Sequence, residues 1–386
     1  MESTPYLYET LIRVLGQHAN WLDVRHFKTL AWMMVGLIHS SSISLGAWSP
    51  FVVSRAQYSQ STVRRFRRWL DNEKIEVQTL YGPLMQQALV GWFGKRLSIA
   101  LDTSMLWDTY CIVRLSVIYR GRAIPLVWSV LAHGSAAVAY EVYKELLDKA
   151  AMLLPCSCQV VLLADRGFAD TQLLGHLTRL GWHFRIRIKS NFWVYRPNRD
   201  PFQTGRIGLA PGHAQFWHHV WLTGKRFGPV HLVVARPLGS DEYWSVISDE
   251  PTDVATLQEY GLRFDIEENF LDDKSNGFQL ESSLIRSAKA LERLCFVLAM
   301  TTLYLTAVGT DVVKRGKRRL VDPHWFRGTS YLKIGWKWVS YALSHCYALI
   351  TCVYLSSEPD PEPAMASIKQ AQQRQQRFEF AYEDVA

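Results

Sequence analysis

The 386-residue sequence predicts an α/β fold in which helices flank one mixed β-sheet. Apolar runs rich in β-branched residues, which are typical of buried strands, recur between residues 96 and 189. Two of these runs are joined by Arg120-Gly121-Arg122, a pattern that indicates a hairpin. In chain order, the segments are a strand at 96–102, a hairpin at 111–131, a helix near 140–154, a strand at 159–165, a helix near 171–180 and a strand at 183–189.

The rest of the chain differs in composition from this α/β segment. Its first part is helical in pattern, prolines and glycines interrupt short strand-like runs near the middle, and the last part is rich in Pro, Glu and Gln. A second, apolar helix is expected over 291–313, after a helical pattern over 251–289. The predicted regions are a helical N-terminal domain (1–92), the first part of the sheet domain (93–190), a β-rich insertion (191–250), the second part of the sheet domain with C-terminal helices (251–350) and a mobile tail (351–386).

Charge and cysteine usage narrow the classes of function. The chain has 43 Lys and Arg against 35 Asp and Glu, a net charge of +8, which favours a polyanionic partner such as nucleic acid. The six Cys lack the paired spacing of a zinc site and are expected to be reduced in a cytoplasm. The sequence starts without a secretory signal pattern, and its longest apolar run, 294–309, is shorter than a membrane crossing.

A strongly basic helix is predicted at residues 61–70, with a Ser or Thr cap at its start. A turn-rich stretch precedes it, as in a helix-turn-helix, and the segment is a candidate DNA contact. The alternative is a solvated basic helix that binds nothing. The candidate DNA-binding side chains are Arg64, Arg65, Arg67 and Arg68.

Two acids follow buried, strand-like runs in the sheet domain. Asp102 ends the run RLSIALD and Asp165 ends the run QVVLLAD, so both are expected at the carboxyl edge of the sheet. Each acid alone is equally explained as a turn or cap residue. Together they predict a magnesium site, because Mg²⁺ prefers carboxylate oxygens and keeps waters for a phosphate substrate.

A third acid lies on a helical stripe with a phenol and two cations. Tyr260, Arg263, Glu267 and Lys274 are spaced by three, four and seven residues, which places them on one helix face. The spacing indicates an acid that binds metal between cations that bind phosphate. A simple Arg263–Glu267 pair is the alternative, and it would stabilise a helix by only a few tenths of a kcal/mol. Glu268 is the rival third ligand, about 100° around the helix.

This spacing resembles a family signature. Tyr260-x2-Arg263-x3-Glu267-x6-Lys274 is similar to the Tyr-Arg-Glu-Lys signature of cut-and-paste DDE transposases from bacterial insertion sequences, in the insertion-sequence-four family. The motifs LDTS at 101–104 and LADRGF at 163–168 resemble the first and second acid motifs of that family, and the resemblance extends over residues 1 to about 310. It implies a ribonuclease-H-like sheet and two Mg²⁺ or Mn²⁺ ions. The implied ligands, which are also the catalytic residues, are Asp102, Asp165 and Glu267.

The resemblance also implies a role for an aromatic residue of the insertion. Trp244 corresponds to a tryptophan that stacks on a flipped base in relatives that form hairpin ends, and such stacking is worth roughly 1–3 kcal/mol. A core position in its strand explains Trp244 equally well. Phe264 departs from the family, since relatives often have Trp there, and a second stacking role is therefore in doubt.

The function implied by the resemblance is DNA transposition. Water frees a 3′-hydroxyl at the transposon end, the hydroxyl attacks the opposite strand to give a hairpin, and after opening it attacks target DNA. Tyr260, Arg263 and Lys274 would hold phosphates of double-stranded DNA, and a homodimer would cut two ends together in a bacterial cytoplasm, near the nucleoid. The alternatives are a non-catalytic DNA-binding protein, a metal-dependent nuclease that does not join ends, and an inactive copy.

Overall fold

The protein is described by a computed structural model that covers residues 3–17, 21, 23–239, 241–362 and 380–384. The described part forms eleven α-helices and eleven strands. The helices are α1 (Ser3–Gly16), α2 (Val24–Ser40), α3 (Leu45–Trp48), α4 (Ser59–Leu70), α5 (Val77–Ala88), α6 (Tyr140–Leu153), α7 (Thr171–Leu180), α8 (Val254–Gly261), α9 (Phe264–Leu271), α10 (Ala288–Lys314) and α11 (Tyr331–Ser344). The strands are β1 (Arg96–Leu106), β2 (Tyr110–Tyr119), β3 (Arg122–Ala132), β4 (Gln159–Ala164), β5 (His183–Arg187), β6 (Trp193–Arg196), β7 (Arg199–Gln203), β8 (His213–Leu222), β9 (Phe227–Arg236), β10 (Trp244–Ser248) and β11 (Ala381–Asp384).

One mixed sheet runs through the described part of the chain, which confirms the predicted α/β class. Its strands are ordered β3-β2-β1-β4-β5-β10-β9-β8-β6-β7, and β11 pairs with β8. Strands β1, β4 and β5 are parallel, whereas β2 is antiparallel to β1 and β3. Strand β4 is apolar and buried after its first residue, and β5 is buried although it carries Arg185 and Arg187. Strand β1 is buried over 99–101 and only partly buried over 102–105. Burial of the central strands is expected where helices cover both faces of a sheet.

The strands of the predicted insertion extend the same sheet. Strand β10 pairs antiparallel with β5, and β9 and β8 continue outward from it. The sheet therefore grows from its parallel centre into an antiparallel extension. The domain boundaries proposed from composition stay predictions.

Helix α10 forms the centre of the helical layer. It packs against α11 and β3 and against the N-terminal helices α2, α4 and α5. Gly309 and Gly335 lie where α10 and α11 touch, and a Cβ on Gly335 would come within 1.8 Å of the Leu305 carbonyl oxygen. By length and hydropathy α10 could cross a membrane, but 94% of its apolar window is buried inside the protein, as in a core helix.

The expected continuous helix over 251–289 is wrong. The chain turns between α8 and α9, forms a π-helix at Asp272–Asn276 and enters α10 only at residue 288. Directly after the π-helix the backbone passes so close to Asp272 that a Cβ on Gly277 would lie 2.5 Å from the Asp272 carbonyl oxygen. This close approach requires glycine at residue 277.

The first residues of the predicted mobile tail pack against the core. Val353 and Leu355 are buried, and the Leu355 amide donates to the Ala88 carbonyl at 2.9 Å. Arg318 also pairs with Glu362 at 3.1 Å. Apolar side chains in 351–355 give this stretch enough buried surface to dock, so residues 351–362 are not a free tail. The Gln-rich segment falls in 363–379, outside the described residues.

Candidate active site

The first two acids lie side by side where the parallel pairing of β1 and β4 ends. The last pair in that register is Leu101 with Ala164, so Asp102 and Asp165 come next on neighbouring strands. The sequence pattern predicted that Asp102 ends its strand, and this is wrong. Strand β1 continues beyond it because β2 still pairs there, with Asp102 opposite Arg114. The two acids therefore lie at the carboxyl end of β4 and not at the carboxyl end of β1.

Asp102 carries its carboxylate in a partly closed environment. Its side chain is 17% exposed and accepts a hydrogen bond from the Thr103 amide at 2.8 Å. Burial raises the pKa of Asp102 to about 6, and the carboxylates of Glu267 and Asp165 act in the same direction. The Arg263 guanidinium opposes this rise without cancelling it. Glu267 and Asp165 are thus close enough to repel the Asp102 carboxylate.

Asp165 has an oxygen that the described protein leaves unsatisfied. Its Oδ1 is buried and accepts no hydrogen bond within the described structure. A buried carboxylate oxygen of this kind is costly unless something pairs with it. A divalent cation bound by carboxylates would supply that partner.

One guanidinium connects the other two acids. Arg263 is 5% exposed, and its Nη2 donates to Glu267 Oε1 at 2.6 Å while its Nη1 lies 3.3 Å from Asp102 Oδ2. The simple Arg263–Glu267 pair is therefore present, but the same side chain also reaches the sheet. Glu268, the rival ligand, instead lies 3.6 Å from Arg122 at the start of β3. Glu267 is the acid of α9 that shares a cation with Asp102.

Buried ion pairs fix α9 and the π-helix against the sheet. Arg114 contacts Asp273 at 2.7 Å and Asn269 at 2.8 Å, and Arg122 contacts Asp272 at 2.8 Å. Burial raises the pKa of Asp273, and Arg114 opposes that rise. The sequence analysis missed these residues, although an arginine inside the apolar run of β2 was a detectable signal. These ion pairs hold α9, and therefore Glu267, in place against the sheet.

Tyr260 and Trp244 do not form an exposed DNA-binding face. Tyr260 is fully buried and Trp244 is 1% exposed, with 5.4 Å between their ring centroids. The predicted phosphate contact of Tyr260 and the predicted base stacking of Trp244 are therefore incompatible with this conformation. Both rings belong to a small core cluster, and the Arg263 guanidinium lies 4.8 Å from the centroid of the neighbouring Phe264 ring. The aromatic rings of this cluster pack against Arg263 and hold its guanidinium in place.

Lys274 lies near the site but on the π-helix rather than on α9. Its Nζ donates to the Met105 carbonyl, beyond Asp102 on β1, and lies 4.0 Å from Glu281 Oε1. Its side chain is 17% exposed. The signature is therefore split in space: Arg263, Glu267 and Lys274 approach the edge, and Tyr260 packs behind it.

Comparison with known proteins identifies the family of the sheet domain. Residues 113–304 match the family model described as transposase DDE domain. The chain carries a transposase DDE domain. Asp165 and Glu267 fall inside the matched range, and Asp102 lies just before it. The domain is the catalytic domain of a DNA-cleaving transposase.

The wider comparisons add little to the family match. No curated protein matches the sequence. A solved structure that resembles the chain is the cryo-EM structure of piggyBac transposase in a synaptic complex with hairpin DNA. It is 10% identical, with a TM-score of 0.45, over 90% of this chain and 81% of that chain.

The N-terminal arginines of the transposase divide into two kinds. Arg64, Arg67 and Arg68 are exposed and join no ion pair within the described ranges. Arg65 is half-buried with its guanidinium 5.3 Å from the Phe66 ring centroid, and burial lowers its pKa. Helix α4 begins at Ser59, so the predicted cap near residue 61 lies inside the helix.

A second acidic group lies at the opposite edge of the transposase sheet. His183, Asp249 and Glu250 bring donor atoms within 4.8 Å of one another, a spacing that could hold a metal ion. Two arginines already occupy these oxygens: Arg185 contacts Glu250 at 2.5 Å and Arg96 contacts it at 2.7 Å. The group also sits where β1 and β5 begin, away from Asp102 and Asp165. We interpret it as an ion-pair network.

Proposed function

We propose that this transposase binds transposon ends, cleaves them by metal-assisted phosphodiester hydrolysis and joins them to target DNA. The proposal rests on one observation above all: three acids converge at the β4 edge of a transposase DDE domain, and a buried Asp165 oxygen there has no hydrogen-bond partner among the described residues. The proposed catalytic residues and metal ligands are Asp102, Asp165 and Glu267.

The topology supports a ribonuclease-H-like core. In the order β3-β2-β1-β4-β5, only β2 runs against the other four strands. This arrangement places the ends of the central parallel strands, and therefore two acids, at one edge. The resemblance of the signature to the insertion-sequence-four family is part of the same proposal.

The acids fit Mg²⁺ or Mn²⁺. All three offer hard carboxylate oxygens, and the pKa of Asp102 is raised chiefly by burial, which disfavours a charged carboxylate that has no bound cation. Two such ions, when bound, would activate the nucleophile and stabilise the leaving oxygen. The carboxylates of Asp102 and Asp165 would hold ions from the sheet, and that of Glu267 from α9.

The protein's own cations would then act on DNA phosphates. Arg263 now neutralises Asp102 and Glu267, and divalent cations on those carboxylates would free its guanidinium for a phosphate. Lys274, anchored beyond Asp102 on the same side, is the second candidate. Tyr260 and Trp244 would act by packing behind Arg263 rather than by touching DNA. Hairpin ends remain part of the proposal on the resemblance alone.

The exposed side chains of α4 are the proposed DNA-end contacts. Arg64, Arg67 and Arg68 are unpaired among the described residues and would be neutralised by backbone phosphates. Cleavage of two ends together calls for a homodimer on DNA, and the proposed location is the bacterial cytoplasm.

The test is a cleavage assay on a labelled duplex that carries the inverted repeat flanking the gene. With Mg²⁺, the wild type should give a nicked end and then a strand-transfer product, resolved on a denaturing gel. Asp165→Asn should retain end binding and lose both products, whereas the control Asp249→Asn, at the opposite edge, should retain them. End binding without any nick would indicate a non-catalytic DNA-binding protein, and nicks without transfer would indicate a nuclease.

A further inference from the structure

Two consecutive histidines of β8 lie on the same side of the sheet. Adjacent residues of a regular strand point to opposite faces, so His218 and His219 should diverge. The register between β8 and β9 shifts instead between Trp217 and Val220, which leaves both histidines opposite His231. A bulge of this kind re-aims a side chain.

The bulge brings three imidazole rings into contact. Nδ1 of His218 lies 2.9 Å from Nδ1 of His231, and the ring of His219 lies 5.0 Å from that of His231 between centroids. His219 has a φ of 52°, a left-handed backbone conformation that few residues other than glycine adopt. Strain of this type persists where the surrounding structure holds it, often at functional sites.

We propose that His218, His219 and His231 form a binding site for a transition-metal ion of the Zn²⁺ class. Tetrahedral Zn²⁺ with Zn–N bonds of about 2.1 Å separates its ligand nitrogens by about 3.4 Å. The His218 and His231 nitrogens are already near that separation. Rotation of the exposed His219 side chain brings the third nitrogen, and water takes the fourth position.

Imidazole nitrogens determine which ion this site takes. They bind Zn²⁺, Ni²⁺ or Cu²⁺, whereas Mg²⁺ prefers the oxygens of the catalytic edge. A contact between two Nδ1 atoms needs one Nδ1–H donor, and when both rings bind the ion through Nδ1 the donor ring carries its proton on Nε2 instead, so both ligands are neutral imidazoles. His231 is 7% exposed, and its burial lowers its pKa, which leaves a neutral ring to act as a ligand.

The ion would join β8 to β9 where the bulge interrupts their pairing. His231 also lies opposite Ser248, the last residue of β10, so the site ties the antiparallel extension near its junction with the central sheet. An ion that binds only the folded state stabilises it by mass action. The site is independent of catalysis, since no residue of the acidic edge belongs to it.

The test uses chelator-treated full-length protein titrated with Zn²⁺ by calorimetry, and with Co²⁺ by visible absorption. The wild type should bind one equivalent and show the absorption bands of tetrahedral Co²⁺. His231→Asn should abolish binding, and His218→Asn should weaken it by more than the roughly 10–100-fold that follows loss of a supporting partner. The control His213→Asn removes an exposed histidine at the start of the same strand and should bind as the wild type does.

Two outcomes would overturn the site: no Zn²⁺ uptake by the wild type, or unchanged uptake in the double variant His218→Asn/His219→Asn. Both positions of that variant are exposed, so it tests the site even if His231→Asn fails to fold. Asp165→Asn separates this site from the proposed function, because it should lose DNA cleavage and retain the Zn²⁺ equivalent.

Discussion

Two charged clusters at opposite edges of the sheet differ in how their acids are neutralised. Where β1 and β5 begin, Glu250 and Glu259 each contact both Arg96 and Arg185, at 2.5–2.9 Å. Where β4 ends, Asp102 and Glu267 share the Arg263 guanidinium, and Oδ1 of Asp165 is buried without a hydrogen bond from any residue that the structure describes. An acidic cluster therefore indicates a metal site only where nearby arginines and lysines do not already pair with its carboxylates.

The largest effect expected from this comparison is on DNA cleavage. Asp102→Asn, Asp165→Asn and Glu267→Gln should each lower Mg²⁺-dependent nicking by about 1,000-fold or more, because each removes a proposed metal ligand. Glu259→Gln, at the paired edge, should retain most of the activity of the folded protein. Single-turnover rates on a labelled end measure both. Full activity in any of the three acid variants would break the comparison.

The next effect is on stability at the paired edge. Arg185 is 4% exposed, and Arg185→Met would leave Arg96 as the arginine that contacts both Glu250 and Glu259. We expect a loss of about 2–3 kcal/mol in the free energy of unfolding, less than for a fully buried pair because both glutamates are partly exposed. Urea denaturation measures it. Arg25→Met, which breaks an exposed pair, is the control and should cause no comparable loss.

At the acidic edge the effect on stability should have the opposite sign. The folded pKa of Asp102 is about 6, above its usual 3.8, so its stabilising contribution is present below pH 4 and is lost as pH rises through 6. Asp102→Asn should then stabilise the metal-free protein at pH 8 by about 1–3 kcal/mol. Thermal unfolding with a chelator present measures this. A lower melting temperature for the variant would contradict the cost assigned to the buried Asp102 carboxylate.

The smallest effect concerns the pH dependence of the paired edge. Hydrogen bonds from Arg96 and Arg185 lower the pKa of Glu250 to about 2. Its contribution is therefore present above the ordinary glutamate pKa of 4.5 and is lost as pH falls through 2. Glu250→Gln should be less stable than the wild type at pH 7, and the difference should shrink toward pH 2. Urea midpoints across this range would show it, and a constant difference would exclude it.

Local patterns were sufficient to predict where Asp102 and Asp165 lie in the sheet, and they predicted most of its central strands. A β-branched run followed by an acid located Asp102 and Asp165, because strand composition and position in the chain are read without knowing neighbours. The spacing around Glu267 located the third acid even though the helix that carries it is broken. Burial of Trp244 and Tyr260 was not readable, since an aromatic residue has the same local pattern in a core and on a binding face.

The sequence by itself determined the α/β class and which three acids to compare; the tertiary structure decided how they are paired. The extra length of β1 comes from pairing with β2, and the support under α9 comes from Arg114 and Arg122 of strands distant in sequence. The position of both His218 and His219 opposite His231 depends on a shift in register between β8 and β9. Hydrophobic periodicity is a property of one segment of the chain. Strand pairing, burial and ion pairing also depend on the residues of a second segment that packs against it.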